Sequence, residues 1–527
     1  MAAPALARGP APPPRETLYN GITLPSPWPP VRAQLSETPQ RPPYLAAPPD
    51  VINIDVGRQL FVDDFLIDET SLHRTFHQAA YYSGNPVLTP EREWEMRDPH
   101  AVVTGLTPSP SAMPFSDGVF FDPADRLYKM WYMAGYQQVT ALALSSDGLK
   151  WERPSLDVVR GTNIVSQQQR DSNTVWLDLE ARDPNARYKM AGYDLALKAL
   201  RLHTSRDGVH WRPAGVTGPC GDRSTFFYNP FRKTWVFSLR QDDSGTLNRS
   251  RRYLESRDFG GTTWTASDPV LWTGADTADL GRPEMTATRR QLYNLDAVAY
   301  ESVMLGLFSI YRGEQPDREK PIDLCVAFSR DGFHWSRVSH DVFIPVSERQ
   351  GDWNWGNVQS AGGVCVIAAD RLHFYVSGRK GVPGTQLPGV CSTGLATLRR
   401  DGFASVSDTW PAGVARQIGK QPGLTTRPLR FSGRHLFVNA DIQGELRVEA
   451  LDKAGRSIDA FSFNRCLPVK GDGTRLPVQW HGASLESLAG QAIRFRFHLS
   501  RARLFSFWVS PTPRGESRGY LAGGGPG

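Results

Sequence analysis

The sequence predicts an all-β protein in which a five-bladed β-propeller is followed by a C-terminal β-sandwich. A short Ser-x-Asp-Gly turn motif recurs five times, β-like apolar runs precede each copy, and no long helical periodicity interrupts them. Aromatic residues make up 11% of the 527 residues, and aromatic side chains are enriched in strands. Four-stranded units that repeat at such intervals are typical of propeller blades, so five copies predict five blades.

The repeated motif ends in tryptophan in four of its copies. The first residues of successive copies lie 51 to 73 residues apart, which leaves room for four short strands in each unit. Asp-Gly between two strands is typical of a turn, because glycine adopts the left-handed conformation and Ser and Asp side chains bond turn amides. We therefore interpret the motif as part of the scaffold, with a catalytic role as the less favoured alternative. The copies span Ser145–Trp151, Ser205–Trp211, Ser256–Trp264, Ser329–Trp335 and, in a decayed form, Arg399–Ser405.

The segments outside the repeats differ from them in composition. The N-terminal segment is rich in proline and alanine, which disfavours helices and central strands and predicts an arm on a domain surface, with about 15 disordered residues at its start. Alternating apolar and polar residues at Pro428–Cys466 and Ile493–Val509 predict the strands of a small antiparallel β-sandwich. The predicted regions are the arm (1–50), the propeller (51–415), the β-sandwich (420–512) and a disordered tail (513–527).

Composition argues against several classes of function. The net charge is only +6, and we interpret the basic run Arg249–Arg252 as a solvated turn, so no nucleic-acid partner is expected. No apolar run approaches the roughly 18 residues of a membrane span, and residues 1–16 make a poor signal peptide. We therefore expect a cytoplasmic protein with no membrane partner. Motifs for nucleotide phosphates, zinc proteases and serine hydrolases are absent from the sequence.

Polar side chains recur just before the innermost strand of each repeat unit. The starts of the innermost strands of a propeller converge on one mouth, so we expect these side chains to meet there. The alternative is a purely structural role, because aspartate before a strand is also a common turn residue. The side chains are Asp117, Asp171, Asp222, Asp296 and the amides Asn357 and Gln359.

The predicted architecture resembles the clan of glycoside hydrolase families 32, 43, 62 and 68. Within the predicted sandwich, Leu436–Ile458 is similar to the C-terminal module of family 32, whose members are fructan hydrolases. Phe61–Ile67 and Gly351–Gly363 resemble a group of bacterial proteins described as family-32-like. The copy at Ser256–Trp264 also resembles the Asp boxes of six-bladed sialidases. The resemblance to the clan covers about residues 51–510.

This resemblance implies hydrolysis of a carbohydrate by carboxylates at the axial mouth, without a cofactor. In the clan, the first blade supplies a base or nucleophile, the second a transition-state stabiliser and the third an acid. Carried over to this sequence, the first two roles fall on Asp117 and Asp171, and the acid is Asp222 or a glutamate such as Glu301 or Glu284. The Asn-Asp-Pro-Asn-Gly and Glu-Cys motifs of family 32 are absent, which leaves the acid open.

Further side chains near the predicted mouth are candidate substrate ligands. Trp353 and Trp355 suit stacking on sugar faces, or instead a hydrophobic plug that closes a blade. Arg223 could bind a substrate carboxylate or orient Asp222. A structural Ca²⁺ or Na⁺ in the channel is compatible with the Asp and Asn residues, although nothing in the sequence requires one. The substrate-binding candidates are Arg223, Asp296, Trp353, Trp355, Asn357 and Gln359.

The favoured function is a glycoside hydrolase that acts on a fructosyl or arabinosyl furanoside or on a related glycan. It predicts that Asp117→Asn and Asp171→Asn abolish turnover and spare the fold. A propeller that binds carbohydrate without turnover is the alternative, because fold does not imply function and the family motifs are missing. A scaffold protein that uses the propeller rim is the third hypothesis.

Overall fold

Strands account for nearly all of the regular structure in the computed structural model. One short α-helix, α1, spans Pro43–Ala46 in the described part of the chain. No helix there is both long and apolar enough to cross a membrane. The 3-10 turns are Glu93–Glu95, Pro184–Ala186, Asp459–Phe461, Phe463–Arg465 and Leu485–Leu488. The structure describes residues 15–97, 109–242, 249–281, 290–313, 315, 317–410 and 422–526.

Five separate antiparallel sheets form the blades, which confirms the predicted five-bladed propeller. In blades I to III the strands are hydrogen-bonded in chain order, with the innermost strand first. Blade I holds β6 (Ala112–Asp122), β7 (Leu127–Ala134), β8 (Val139–Ser145) and β9 (Ile164–Ser166). Blade II holds β10 (Asn173–Leu177), β11 (Tyr188–Asp194), β12 (Ala199–Ser205) and β13 (Arg212–Pro219). Blade III holds β14 (Thr225–Asn229), β15 (Thr234–Asp242), β16 (Arg249–Ser256) and β17 (Val270–Thr273).

Blades IV and V each take one strand from a distant part of the chain. Blade IV holds β18 (Gln291–Glu301), β19 (Val303–Tyr311), β20 (Ile322–Ser329) and the C-terminal β31 (Tyr520–Leu521). Blade V holds β21 (Asn357–Ser360), β22 (Val366–Ala368), β23 (Arg371–Arg379), β24 (Cys391–Arg399) and β5 (Ala80–Tyr81).

The outer strand of blade V closes the ring. Strand β5 precedes blade I in the sequence, yet it pairs with β24 through Tyr81 and Ala396. The Tyr81 hydroxyl donates to the Pro345 carbonyl at 2.6 Å and accepts from Asn354 at 3.0 Å. Opening the ring between the first and last blades would therefore break a sheet as well as apolar contacts.

The repeated motif forms the same turn in successive blades. In blade I, Ser145 Oγ accepts from the Gly148 amide at 2.8 Å, and Asp147 Oδ1 accepts from the two following amides at 2.7 and 2.9 Å. In blade II, the Gly208 carbonyl accepts from Trp131 Nε1 of blade I at 2.8 Å. In each of these turns the Ser and Asp side chains accept hydrogen bonds from the amides of the turn itself, and the blade II turn also contacts blade I. The scaffold interpretation of the motif is confirmed.

A ten-stranded sheet forms a second β domain with its own apolar core. Its long central strand β30 (Ile493–Ser510) pairs with β28 (His435–Asp452) along one edge and with four short strands along the other. The predicted sandwich thus forms one hydrogen-bonded sheet, and division into two layers stays a prediction. The strands are β1 (Ile52–Asn53), β2 (Gln59–Leu60), β3 (Ile67–Thr70), β4 (His73–Phe76), β25 (Ala404–Ser407), β26 (Gly423–Thr426), β27 (Leu429–Arg430), β28 (His435–Asp452), β29 (Val469–Val478) and β30 (Ile493–Ser510).

Two predicted boundaries differ from the structure. Strands β1 to β4 and β25, placed in the propeller by the sequence, belong to the second domain because they complete its sheet. The predicted disordered tail is instead ordered as far as residue 526. Its β31 pairs with the end of β18, and the Gly523 carbonyl accepts from Phe121 N at 2.8 Å. Glycines suit this narrow space, since a Cβ at Gly525 would lie 2.3 Å from the Ile367 carbonyl oxygen.

A buried ion-pair network joins the two domains at this end of the propeller. Arg58 Nη1 donates to Asp401 Oδ2 at 2.9 Å, and Ser506 and Tyr300 also donate to the Asp401 carboxylate. Burial alone would raise the pKa of Asp401, but attraction by Arg58 and Arg400 and these hydrogen bonds lower it to about 2. The charged form of Asp401 is therefore the form that stabilises the joined domains.

We expect Gly208→Ala to destabilise the protein more than Gly161→Ala. Both glycines adopt a left-handed φ, +79° and +81°, where any other residue pays about 1–2 kcal/mol. A Cβ at Gly208 would also lie 2.5 Å from Trp131 Cζ2, whereas nothing lies within 4 Å at Gly161. Overpacking adds about 1–3 kcal/mol to the loss in free energy of unfolding. Urea denaturation of both variants measures the difference, and equal losses would contradict the docking role of the turn.

We expect acid to weaken the domain junction through Asp401. Its pKa is lower in the folded protein than in the unfolded chain, so its stabilisation is present above about pH 4 and is lost as the pH falls toward 2. Asp401→Asn should reduce stability at neutral pH and flatten the loss between about pH 4.5 and 2.5. Thermal unfolding over this range tests the expectation, with the exposed Asp341→Asn as the control. A parallel acid profile for Asp401→Asn and the wild type would refute it.

Candidate active site

The starts of the innermost strands bring a polar cluster together at one end of the propeller axis. On β6 the pairing with β7 shifts between Met113 and Gly118, and within this bulge Ser116 adopts a φ of +65°. A bulge redirects side chains, and here the fully buried Ser116 and Asp117 meet residues of the other blades. The predicted convergence is therefore found for the residues of blades I, IV and V.

Asp117 is held by an arginine that sequence reasoning missed. Arg170 Nη2 donates to Asp117 Oδ2 at 2.9 Å and Nη1 bonds Oδ1, with both side chains almost fully buried. Burial raises the pKa of the Asp117 carboxyl, and Arg170 opposes that rise. Because Asp117 is fully buried and Arg170 engages both of its oxygens, its carboxylate is not accessible to a substrate in this arrangement.

Asp296 ties three blades together at the axis. Its Oδ2 accepts from Ser116 Oγ at 2.8 Å, from Asn294 Nδ2 at 3.0 Å and from Ser360 Oγ at 2.6 Å. These donors belong to blades I, IV and V, and all of the side chains are buried. Such a closed network fixes the relative positions of the strands.

Arg223 reaches from the start of blade III into the same cluster. Its Nη2 donates to Gln359 Oε1 at 2.7 Å and to Ser116 Oγ at 3.1 Å, and its guanidinium carbon lies 3.7 Å from the centroid of the Phe115 ring. Gln359 in turn donates to Asn357 Oδ1 at 3.0 Å. The structure thus brings the predicted Arg223, Asn357 and Gln359 together.

Asp222 does not join this cluster. It forms an ion pair with Arg240, whose Nε also bonds Asp242 Oδ2 at 2.7 Å. The Asp222 side chain is 36% exposed, so the pair lies at the edge of blade III. In the described part of the chain no hydrogen bond joins Arg223 to Asp222, which argues against the interpretation that Arg223 orients this carboxylate.

Two other carboxylates each have one fixed and one unpaired oxygen. Gln137 donates to Asp171 Oδ1 at 2.9 Å, and Arg379 Nη1 donates to Glu319 Oε1 at 2.7 Å. Asp171 Oδ2 and Glu319 Oε2 are buried without a hydrogen-bond partner among the described residues. The Arg379 guanidinium carbon lies 5.3 Å from the centroid of the Tyr136 ring, and Gln137 directly follows Tyr136, so the partners of both carboxylates meet at this one phenol. Burial raises the pKa of Tyr136, and the charges of Glu319 and Asp171 add to that rise against the opposing effect of Arg379.

Sequence reasoning missed Arg170, Glu319 and Arg379 for different reasons. Arg170 directly precedes the predicted Asp171, so its position was a usable signal. Glu319 lies in an irregular loop between β19 and β20, and Arg379 is the last residue of β23, so no strand-start pattern marked either. The candidate Glu284 lies outside the described residues.

The structure contradicts the placement of Glu301 at the mouth. Glu301 ends the 11-residue strand β18, which carries the chain to the opposite end of the axis. There its Oε2 accepts from Ser517 Oγ at 2.7 Å and its Oε1 accepts from Arg400 Nη2 at 3.1 Å. Glu301 therefore belongs to the domain junction and not to the candidate active site.

Trp353 and Trp355 pack within blade V. Trp353 covers Gly378 and Gly394 so closely that a Cβ at either would lie 2.0 Å from its ring, and Tyr81 packs edge-on at 5.7 Å. Trp355 is 8% exposed and lies 5.2 Å from the Arg318 guanidinium carbon. These contacts favour the alternative that the two rings form a plug and do not stack on a sugar.

One group in the described residues has the spacing of metal ligands. Ligand atoms of Asp276, Asp279 and His340 lie within 4.8 Å of one another. Arg337 Nη1 donates to Asp279 Oδ2 at 2.7 Å, and His340 Nε2 lies 3.0 Å from Asp276 Oδ2. Because these contacts already compensate the carboxylates, the group is better interpreted as an ion-pair cluster. A Ca²⁺ or Na⁺ in the channel stays a prediction.

Comparisons with known proteins give only distant structural likenesses. No family model and no curated protein matches the sequence. A thermostable family-43 glycoside hydrolase is similar at 13% identity and a TM-score of 0.38, over 58% of this chain and 96% of that one. An endo-arabinase from Bacteroides thetaiotaomicron VPI-5482 is similar at 12% identity and a TM-score of 0.35, over 55% and 95% of the two chains.

An exo-β-1,3-galactanase from Phanerochaete chrysosporium is similar at 10% identity and a TM-score of 0.33, over 80% of this chain and 99% of that one. Family 43 is among the families of the clan that the sequence resembles, and the resemblance to family 32 stays a prediction. Similarities this low leave the chemistry of the chain to be argued from its own residues.

We expect Asp117→Asn to destabilise the fold, in contrast to the effect expected from the sequence. The variant leaves the buried Arg170 without a counter-charge, which costs about 3–5 kcal/mol in free energy of unfolding. Asp222→Asn is the control, since it removes the same charge from a partly exposed pair worth about 1 kcal/mol or less. Urea denaturation compares the two variants, and similar losses would show that the Asp117–Arg170 pair is not a structural requirement.

Proposed function

We propose that the protein is a glycoside hydrolase whose reacting carboxyl groups are Asp171 and Glu319. The observation that supports this most strongly is that each carboxylate has one oxygen fixed by a neighbour and one oxygen without a partner. Buried polar atoms are normally hydrogen-bonded, so unpaired oxygens near one phenol point to a ligand that completes them. Hydrolysis of an O-glycosyl bond needs such a pair of carboxyl groups.

The surroundings of the two carboxyl groups suggest their roles. The ion pair with Arg379 engages the carboxylate form of Glu319, which suits a base that activates water or a nucleophile that attacks the anomeric carbon. Asp171 would then give a proton to the leaving glycosyl oxygen. Asp117 would act indirectly by holding Arg170, the residue next to Asp171.

The substrate class rests on the sequence resemblance. We propose a fructosyl or arabinosyl furanoside or a related plant or microbial glycan. A propeller that binds carbohydrate without turnover is the second candidate, because the packed positions of Trp353 and Trp355 remove the predicted stacking residues from the mouth.

We expect Asp171→Asn and Glu319→Gln each to lower turnover by at least about 100-fold, since general acid–base groups contribute on that scale. Both replacements keep the size of the side chain and an oxygen that can accept the existing hydrogen bond. Because Glu319→Gln also removes the counter-charge of the buried Arg379, thermal unfolding of each variant must show a folded protein at the assay temperature before turnover is compared. The measurement is product release from fructans, arabinans, arabinogalactans and chromogenic furanosides and pyranosides by purified protein.

Asp222→Asn is the matched variant, because the sequence assigned the acid to Asp222 while the structure places it at the blade edge. It should keep most of the wild-type turnover. Loss of turnover in Asp222→Asn but not in Asp171→Asn would refute the proposed pair. No product at any enzyme concentration, together with thermal stabilisation by a sugar, would favour the binding propeller.

A further inference from the structure

Tyr293 lies at the start of blade IV, three residues before Asp296, and cationic side chains surround it. The Arg249 guanidinium carbon lies 4.4 Å from the centroid of its ring. Arg249 comes from blade III, Lys320 from the loop before β20 and Arg379 from the end of β23 in blade V. Three neighbouring blades thus direct positive charge at one phenol.

The electrostatic effect of these cations outweighs the burial of Tyr293. Burial on its own would raise the pKa of this phenol, yet attraction by Arg249, Lys320, Arg379 and Arg223 lowers it. The half-buried Tyr136 shows the opposite shift, because burial and the charges of Glu319 and Asp171 raise its pKa more than Arg379 lowers it. The mouth therefore has a cationic side around Tyr293, whereas the carboxylates of Asp171 and Glu319 contribute negative charge around Tyr136.

Carboxylates match only part of the charge on the cationic side. Arg379 pairs with Glu319 at 2.7 Å and Arg249 Nε lies 3.6 Å from Asp242 Oδ1, whereas no ion pair involves Arg223 among the described residues. Arg223 is 1% exposed, and its hydrogen bonds go to the neutral oxygens of Phe115, Ser116 and Gln359. Within the described ranges, the Lys320 ammonium makes no ion pair or hydrogen bond, although the Lys320 carbonyl accepts from Asn357 Nδ2 at 2.7 Å. Three guanidinium nitrogens are buried without a hydrogen-bond partner there, namely Nε of Arg223, Nη1 of Arg249 and Nε of Arg379.

A second buried arginine increases this imbalance. Arg251 is fully buried behind Arg223 and donates to the Arg223 carbonyl at 2.8 Å. Burial and repulsion by Arg223 lower the pKa of Arg251 to about 9, against partial compensation by Asp296. Buried charges are normally paired, because removal of an ion from water without a partner is strongly unfavourable. An anionic ligand would compensate this excess of positive charge.

We propose that the cationic side of the mouth, formed by Arg223, Arg249, Lys320 and Arg379 around Tyr293, is a subsite for an oxyanion carried by the substrate. The chemical class is an acidic saccharide with a carboxylate or sulfate group. Arg249 and Lys320 are half-buried and can reach the anion from the solvent side. The more deeply buried Arg223 and Arg379 supply positive charge from the interior side of the subsite. This inference rests on the proposed function and specifies the substrate of the same mouth.

The test measures binding and does not depend on turnover. Isothermal titration of Asp171→Asn protein compares galacturonate, glucuronate and their oligomers with the matching neutral saccharides, and galactose 6-sulfate with galactose. At least one acidic saccharide should bind tenfold or more tightly than its neutral counterpart. Lys320→Met and Arg249→Met, added to the same background, should each reduce that affinity about tenfold and leave neutral saccharides unaffected.

Lys380→Met is the matched control, because Lys380 is exposed and directly follows Arg379 on the chain. It removes the same charge near the mouth and should not alter the preference for acidic saccharides. Rising salt should weaken acidic binding in the background protein, as expected for a charge contact. Separate titrations with uronates and with sulfated sugars show whether the subsite takes a carboxylate or a sulfate group.

Four outcomes would overturn the proposal. These are equal binding of acidic and neutral saccharides, a preference that survives both Lys320→Met and Arg249→Met, binding of inorganic sulfate without any preference among saccharides, and no binding at all. A protein that prefers acidic saccharides but releases no product would retain this subsite and refute only the proposed hydrolysis.

Discussion

The narrow axis of the propeller is the constraint on which the rest of the structure depends. Side chains on the starts of the innermost strands meet there out of contact with water, so each polar group needs a partner. Asp296 meets this requirement by accepting three hydrogen bonds, and Asp117 meets it by pairing with Arg170. The most buried carboxylates are consequently committed to holding blades together, which leaves the chemistry to groups farther from the axis.

The repeated and the unrepeated parts of the sequence have different tasks. Every blade must saturate its outer turn and dock on a neighbour, and the Ser-x-Asp-Gly motif does both through its amides and its glycine. Of the two groups proposed for reaction, Asp171 occupies a position that recurs before the innermost strands, whereas Glu319 lies in a loop of blade IV that does not repeat. A repeat search therefore finds the scaffold and passes over part of the site.

The two ends of the propeller differ in charge balance. At the domain junction, Arg58 and Arg400 face Glu301 and Asp401, so that two cations meet two anions in direct contact. At the mouth, the cations around Tyr293 exceed the carboxylates that contact them in the described ranges. Folding can tolerate such an imbalance where a ligand completes it, and this contrast separates the domain junction from the end of the axis proposed to bind the substrate.

The sequence by itself determined the all-β class, the five blades and the turn chemistry, because period-two alternation and Asp-Gly turns are local properties. It also pointed to the members of the polar cluster, Asp117, Arg223, Asp296, Asn357 and Gln359, since strand starts converge in any propeller. Tertiary structure alone decided which of them pair. It placed Glu301 at the far end, ordered the C-terminal glycines in the channel and brought in Arg170, Glu319 and Arg379, because these outcomes depend on contacts between residues distant in the chain.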